Sequence, residues 1–456
     1  EFAAIILPKD TAEVQTIVKL CNKHKVQFRP ICTGWTGMFP KGILLLDLRR
    51  MNHIIEINEK NMYAVIEPYV ISAQLQAELM KRGLHLNLKG AGANCTAMLR
   101  GHGHLDQTTS GDDRNHLALE WVTPEGELVR IGSLGSSDEW FCGDGPGPSL
   151  RAMINSAVPP GVTPGVFTKA AVKLYHWPGP SRFPIQGLSP RYTLSEIPAN
   201  MMARYYSFPS VEKMYEAELK IGESEIAFEL MGFNAAMVAC NITTCNEEEE
   251  EVFPRISKEV QGPGFFVILA GNTPEDFEYK KRVLAQIVSE SKGRSLKSVE
   301  DPEIEGILLC QCVRVSASIR ETFRAGGAFN SIPIMGQRDL TIKWAIGAGK
   351  AKEPLIKKGL IVDDGGAFFG WGVEQGHLGK TEIFCKYDPQ NAEAKAAVET
   401  WQKEQNARAF KERYFASTMG PQTEIGPALS NYHIWWKKLK EALDPNGVSP
   451  EGGSLV

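Results

Sequence analysis

The sequence predicts an α+β protein in two parts: a front unit of alternating strands and helices with two glycine-containing loops, and a back unit of helices and strands. Three observations predict it. Strand and helix periodicities alternate through the front of the chain. Loops of Gly, Asn and His stand there in place of ordinary connections. The stretch Trp177-Pro178-Gly179-Pro180-Ser181-Arg182-Phe183-Pro184 then breaks any regular element, because each proline fixes φ and removes an N–H. At 456 residues the chain exceeds one ordinary core, so two or three folding units are expected, with room for a large ligand between them.

The front unit opens on the apolar run Ala3-Ala4-Ile5-Ile6-Leu7, a strand. Val14, Ile17, Val18 and Cys21 then recur at helical spacing behind Asp10 and Thr11, with Glu13 in the first turn, so a capped helix runs over 11–23. Val26-Gln27-Phe28 and residues 43–46 read as strands around the loop Arg29-Pro30-Ile31-Cys32-Thr33-Gly34-Trp35-Thr36-Gly37. Its small residues let backbone N–H groups approach a phosphate, although Gly34 and Gly37 equally suit a plain turn. Residues 63–68 read as a strand and 72–82 as a helix ended by Gly83. The loop over 90–113 is too long for an ordinary connection and is a candidate binding loop. Residues 117–122, the turn Thr123-Pro124-Glu125-Gly126 and residues 127–131 form a hairpin, and 166–175 is a further strand.

In the back unit, residues 209–221, 274–292 and 392–414 read as amphipathic helices. Strands are expected near 226–233, 265–270, 366–372 and 382–387. The acidic run 247–251 reads as a solvated helix start or loop.

A net charge of -4 gives no electrostatic case for nucleic acid. No apolar run approaches the roughly 18 residues needed to cross a bilayer. The nine cysteines are scattered without repeated C-x-x-C spacing, so they read as mostly buried free thiols of a reducing cytoplasm, with no metal or cluster site. Cys310-Gln311-Cys312 is expected on a strand, its two thiols on opposite faces. Opening at Glu1 and running straight into a strand, the chain reads as one that has lost preceding residues, a targeting peptide among them being open.

After the first loop come, in order, Gly42-Ile43-Leu44-Leu45-Leu46-Asp47-Leu48-Arg49-Arg50-Met51-Asn52, Asn61-Met62-Tyr63-Ala64-Val65-Ile66-Glu67-Pro68 and Gly83-Leu84-His85. This succession closely resembles the FAD-binding domain of the vanillyl-alcohol oxidase/p-cresol methylhydroxylase (PCMH-type) flavoprotein superfamily, which includes the glycolate oxidase and D-lactate dehydrogenase-like FAD-linked oxidases. The resemblance continues through residues 119–132 and 165–174 and returns at Ala442-Leu443-Asp444-Pro445-Asn446-Gly447-Val448. Tyr69 departs from the family's glycine. The prolines at 159, 160 and 164 alter the stretch before Val166 and remove N–H donors.

The resemblance implies a PCMH-type two-subdomain FAD-binding domain over 1–180, a second α+β substrate (cap) domain over 181–430, and a C-terminal segment, 431–456, returning to the first. It implies FAD lying extended, its pyrophosphate over 32–36 and part of 90–116, its ring at the domain interface. The candidate cofactor-binding residues are Cys32, Thr33, Gly34, Trp35, Thr36, Gly90, Asn94, Thr96, Arg100, Gly101, His102, His104, Gly165 and Val166. His102 and His104 suit a base, a hydrogen-bond donor or a covalent anchor, and equally a loop histidine bonded to backbone or phosphate. Cys95 reads as a buried thiol. Asp112 and Asp113 read as an Asx turn or as partners of Arg100 or Arg114.

Leu99-Arg100-Gly101-His102-Gly103, Gly111-Asp112-Asp113 and Gly145-Pro146-Gly147-Pro148 are similar to the p-cresol methylhydroxylase branch. Gly376-His377-Leu378-Gly379 matches only the start of the metal motif of the D-lactate and glycolate dehydrogenase branch, because Phe384 stands where its second histidine would be. His377, Tyr414 and His433 are the candidate catalytic residues, each read equally as structural: His377 in a loop, Tyr414, Tyr432 and His433 in packing.

The implied activity is that of an FAD-dependent dehydrogenase oxidising a small hydroxylated substrate, a 2-hydroxy acid in preference to a 4-alkylphenol. Electrons would pass to a separate acceptor, an electron-transfer protein or an iron–sulfur subunit, since no cluster motif is present. A different class of reading is an FAD-holding or degenerate subunit of a larger redox complex. Redox-neutral chemistry of the alkylglycerone-phosphate synthase kind is disfavoured, because no histidine-rich segment stands near Ser417. The oligomeric state is left open.

Overall fold

A computed structural model of the chain describes residues 2–33, 41–86, 95–98, 115–141, 164–188, 191–313, 328–361, 369–373, 375–412 and 431–450. At the front, β1 (Ala4–Ile6), α1 (Thr11–His24), β2 (Phe28–Ile31) and β3 (Leu44–Asp47) build a three-stranded parallel sheet in the order β1-β3-β2. The helix begins where the sequence places it. Asp10 is extended and its carboxylate accepts the Glu13 N–H at 2.9 Å. Val14, Val18 and Cys21, on one face of α1, are buried in a core shared with Phe28, Leu46, Val122 and Val166.

A second sheet follows. β4 (Ile54–Asn58) and β5 (Tyr63–Ile66) precede α2 (Ser72–Met80), then come β6 (Leu84–Leu86), β7 (His116–Val122), β8 (Leu128–Ile131) and β9 (Val166–His176). The strand order is β4-β5-β9-β7-β8, all antiparallel, with β6 added beside the far end of β9 through Leu84↔His176. Leu75 and Leu79 of α2 pack against Ile66, Leu84 and Leu174.

Beyond the proline-rich break comes a short hairpin, β10 (Ile185–Leu188) and β11 (Arg191–Leu194). The rest supplies β12 (Met201–Ser207), α3 (Val211–Ser224), β13 (Ala227–Phe233), α4 (Ala235–Asn241), α5 (Asn246–Glu259), β14 (Gly264–Ala270), α6 (Pro274–Glu290), β15 (Arg294–Ser295) and α7 (Pro302–Val313). It continues with β16 (Ala328–Gln337), α8 (Arg338–Lys357), β17 (Phe369–Val373), β18 (Leu378–Tyr387), α9 (Ala392–Glu412) and α10 (Tyr432–Leu443). The strands form one seven-stranded antiparallel sheet in the order β15-β12-β14-β13-β17-β18-β16. Every residue of β14 is buried, because Phe266, Ile268 and Ala270 pack toward α4, α5 and α7 while Phe265, Val267 and Leu269 pack toward α3, α6, α8 and α9.

One expectation is corrected here. Cys310 lies on α7, not on a strand. Asp301 accepts the N–H groups of Glu303 and Ile304, Pro302 follows it at the helix start, and Ile307, Leu308, Leu309 and Cys310 are all buried. A helix buried on every side shows no amphipathic stripe, so its apolar run imitates a buried strand. The acidic run opens α5, where Glu247, Glu248 and Glu249 occupy the first turn.

The two sheets meet at a seam of aromatic rings. His85 of β6 lies 5.0 Å, centroid to centroid, from Phe228 at the start of β13, and Trp177 lies 5.4 Å from the same ring. Asn200 donates to the Pro178 carbonyl at 2.9 Å, and His176 bonds Asn272 across the same seam.

Candidate cofactor site

The first loop leaves β2 at Cys32 and returns to β3, a parallel neighbour, so Cys32 stands at the carboxyl end of the sheet beside Asp47. Ligands favour that end of parallel strands, where loops diverge and backbone N–H groups stay available. The Cys32 thiol is enclosed although the residue is only partly buried, and it donates to the Pro68 carbonyl at 3.4 Å. Burial first, and the nearby Asp47 carboxylate second, push this thiol up to about 12. It therefore stays protonated and is not a nucleophile.

The segment after Pro68 receives the end of the second loop. Ala97 donates to the Val70 carbonyl at 2.7 Å, Ser72 N–H donates to the Cys95 carbonyl at 3.0 Å, and Thr96 bridges to Ile71. Cys32 and Thr96, predicted from two loops far apart in sequence, thus both dock on residues 68–72. Gly165 and Val166 approach from a third direction. Val166 is buried in the same core as Phe28, with Cys32 packed against it. Gly165 has φ +83 and is hemmed in: a Cβ there would lie 2.4 Å from the Val122 carbonyl oxygen and 2.6 Å from Trp121 Nε1. Trp121 Nε1 also donates to Pro164 O at 2.9 Å.

Of the predicted cofactor-binding residues, Cys32, Thr33, Thr96, Gly165 and Val166 are therefore described. Gly34, Trp35, Thr36, Gly90, Asn94, Arg100, Gly101, His102 and His104 lie outside the described residues, as does Tyr414. His433 is on α10. His377 is exposed in the turn joining β17 to β18, where Gln375 (φ 57) and Gly376 (φ 86) are left-handed. Its carbonyl accepts the Arg338 N–H at 3.3 Å, and the turn rests on α3, where a Cβ on Gly222 would lie 1.9 Å from the Gln375 carbonyl oxygen.

Other polar groups at the site were not anticipated. Ser72 and Gln76, one turn apart on α2, are buried. Gln76 Oε1 accepts the Leu86 N–H at 3.2 Å, but Ser72 Oγ and Gln76 Nε2 have no hydrogen-bond partner among the described residues. They lie where the chain leaves for and returns from the second loop, and an enclosed unsatisfied donor and hydroxyl suit a polar group held there. A helical spacing of Ser and Gln beside a long loop is the signal that marks them. His85 is missed too: burial holds its imidazole well below the ordinary histidine value, at about 4, while Nδ1 bonds the Leu86 carbonyl. Among the described residues no group of three or more His, Cys, Asp or Glu is arranged to hold a metal, and no helix is long and apolar enough to cross a membrane.

Comparison with known proteins identifies the front of the chain. A family model described as FAD binding domain matches residues 2–132. The chain is 33% identical over 139 residues to 1'-carboxy-chondrochloren decarboxylase of Chondromyces crocatus, covering 28% of this chain and 26% of that protein. It is 30% identical over 171 residues to the flavoprotein subunit of 4-cresol dehydrogenase (hydroxylating) of Pseudomonas putida, covering 34% and 32%. It is 32% identical over 140 residues to D-2-hydroxyglutarate dehydrogenase of Stutzerimonas stutzeri, covering 28% and 30%. These matches span about a third or less of each relative's length. The fold is similar over 98% of the chain to substrate-bound p-cresol methylhydroxylase, covering 87% of that chain, with a TM-score of 0.73 at 18% identity. The α+β architecture is thus the PCMH-type one. Residues 2–132 are thus an FAD binding domain, with FAD as the cofactor, in a chain whose fold is similar to that of p-cresol methylhydroxylase.

Proposed function

We propose that the chain is an FAD-dependent dehydrogenase that oxidises a small hydroxylated substrate and passes the electrons to a separate acceptor. The carrying observation is that Cys32 and Thr96, from two separate segments of a matched FAD binding domain, both dock on residues 68–72, while Val166 shares a core with Cys32. In this reading Cys32, Thr33, Thr96, Gly165 and Val166 line the cofactor together with the two loops, within a front domain over 1–180. A cap domain over 181–430 closes the site, and the tail from 431 returns to the front. When bound, FAD supplies the hydride acceptor; the protein's part is to position substrate and cofactor.

The hydroxyl proton of the substrate passes to the medium rather than to His377, whose exposed turn is held by its backbone. A 2-hydroxy acid is the first substrate class, supported by the similarity to D-2-hydroxyglutarate dehydrogenase. A 4-alkylphenol is the second, favoured by the Arg100-Gly101-His102-Gly103 stretch and by the similarity to 4-cresol dehydrogenase.

The test is spectroscopic. The purified protein is expected to carry flavin absorption, which acid precipitation assigns to free or covalently held FAD. Mixing anaerobically with panels of 2-hydroxy acids and 4-alkylphenols should bleach it with one class. Bound FAD that neither panel reduces would favour a cofactor-holding subunit of a larger complex.

A further inference from the structure

The tail following α10 inserts between the two anchors of the cofactor site. Asp444 accepts the N–H groups of Val448 and Ser449 at 2.9 and 3.0 Å, and Lys440 bonds both Asp444 and the Ser449 carbonyl, so residues 444–449 form a closed turn. One side of this turn holds β2: Phe28 N–H donates to the Val448 carbonyl at 2.8 Å, and the buried Arg29 guanidinium donates to the Pro450 carbonyl at 2.7 Å. The other side holds the start of β9: Gly165 N–H donates to Ser449 Oγ at 2.9 Å. Val448 itself is buried in the core with Phe28 and Val166.

We propose that this turn is a clasp, with Ser449 and Arg29 as positioning residues that set the spacing between the Arg29–Cys32 exit of β2 and the Gly165 entry to β9, and thereby the affinity for FAD. The inference rests on the placement of FAD proposed above. Its physical basis is that Gly165 is pinned from two sides, by Trp121 through Pro164 and by Ser449 through its own N–H. Removing the Ser449 hydroxyl frees one side and leaves a buried N–H unsatisfied. The change falls on the Gly165 N–H, while Val166 stays packed in the core with Phe28 and Val448.

Apoprotein from riboflavin-starved cells is titrated with FAD, following flavin fluorescence, alongside hydrogen exchange over residues 164–166. Ser449→Ala is expected to weaken FAD binding roughly tenfold, the loss of one buried hydrogen bond, and to speed exchange over 164–166. Ser449→Thr should restore both. Arg29→Gln, which loosens the other side, gives the same readout should Ser449→Ala not fold. Thr33→Glu, which sets a carboxylate at the expected pyrophosphate position, separates the two ideas. If Thr33→Glu weakens FAD while Ser449→Ala and Arg29→Gln bind it like the native chain, the clasp is wrong and the cofactor placement stands. If Thr33→Glu is also without effect, the placement fails and the clasp falls with it.

Discussion

Arg338 and Glu218 form a fully buried two-pronged ion pair: Nε donates to Oε2 at 2.9 Å and NH2 donates to Oε1 at 2.9 Å. The pair ties the first residue of α8 to α3. Arg338 NH1 also donates to Thr381 Oγ1 at 3.0 Å, and its backbone N–H to the His377 carbonyl, so one arginine fixes two helices and a hairpin. Burial pushes the Glu218 carboxyl above its ordinary value, and the guanidinium pulls it back.

Glu218→Ala strands that guanidinium in the core and is expected to cost about 3–5 kcal/mol. The double replacement Glu218→Leu with Arg338→Met should recover much of the loss, since well-packed apolar groups commonly replace a buried pair without penalty. Denaturant unfolding of the three variants checks both. A single variant as stable as the native chain would mean the pair is not buried in solution.

His85 predicts a pH dependence of stability. Its folded-state value of about 4 lies below the ordinary 6.5, so between those pH values the unfolded chain binds more protons than the folded one. Stability therefore rises with pH across this window and is lost as pH falls from about 6.5 toward 4, by on the order of 3 kcal/mol for this group. His85→Phe should flatten the slope in urea titrations run at pH 4.5 and 6.5, both test values chosen about the window. An unchanged slope would place the histidine in contact with water.

Gly165→Ala is expected to destabilise by roughly 1–3 kcal/mol, because the new methyl meets Val122 O and Trp121 at a left-handed φ. Thermal unfolding measures the loss. Trp121 fluorescence should change in the same variant as its bond to Pro164 is displaced.

His377→Gln is expected to leave stability within about 0.5 kcal/mol, as for most surface changes, and flavin reduction by substrate unchanged. The turn is held through the His377 carbonyl, which the variant keeps. A loss of about 100-fold in the reduction rate would instead make the imidazole a general base.

Much of the architecture was legible in the sequence. The Asp10 cap and the Val14, Val18, Cys21 stripe gave α1, the 123–126 turn gave the β7–β8 hairpin, and ordered motifs over the front of the chain gave the cofactor. Local rules sufficed there, because caps, turns and amphipathic stripes are decided by near neighbours in the chain. The helix α8 escaped because Gly347 and Gly349 interrupt its pattern. A Cβ on Gly347 would lie 2.2 Å from the Arg408 guanidinium of α9, the movable end of a long side chain.

By itself, then, the sequence determined the fold class and the FAD binding domain at the front of the chain. Only the tertiary structure decided that Cys32 and Thr96 share residues 68–72, that Ser449 reaches Gly165, that His377 faces solvent, and that the Cys310 run is a helix. Those facts depend on which chains meet after long loops close. Burial and hydrogen-bond satisfaction across hundreds of residues fix them, and no local periodicity carries that information.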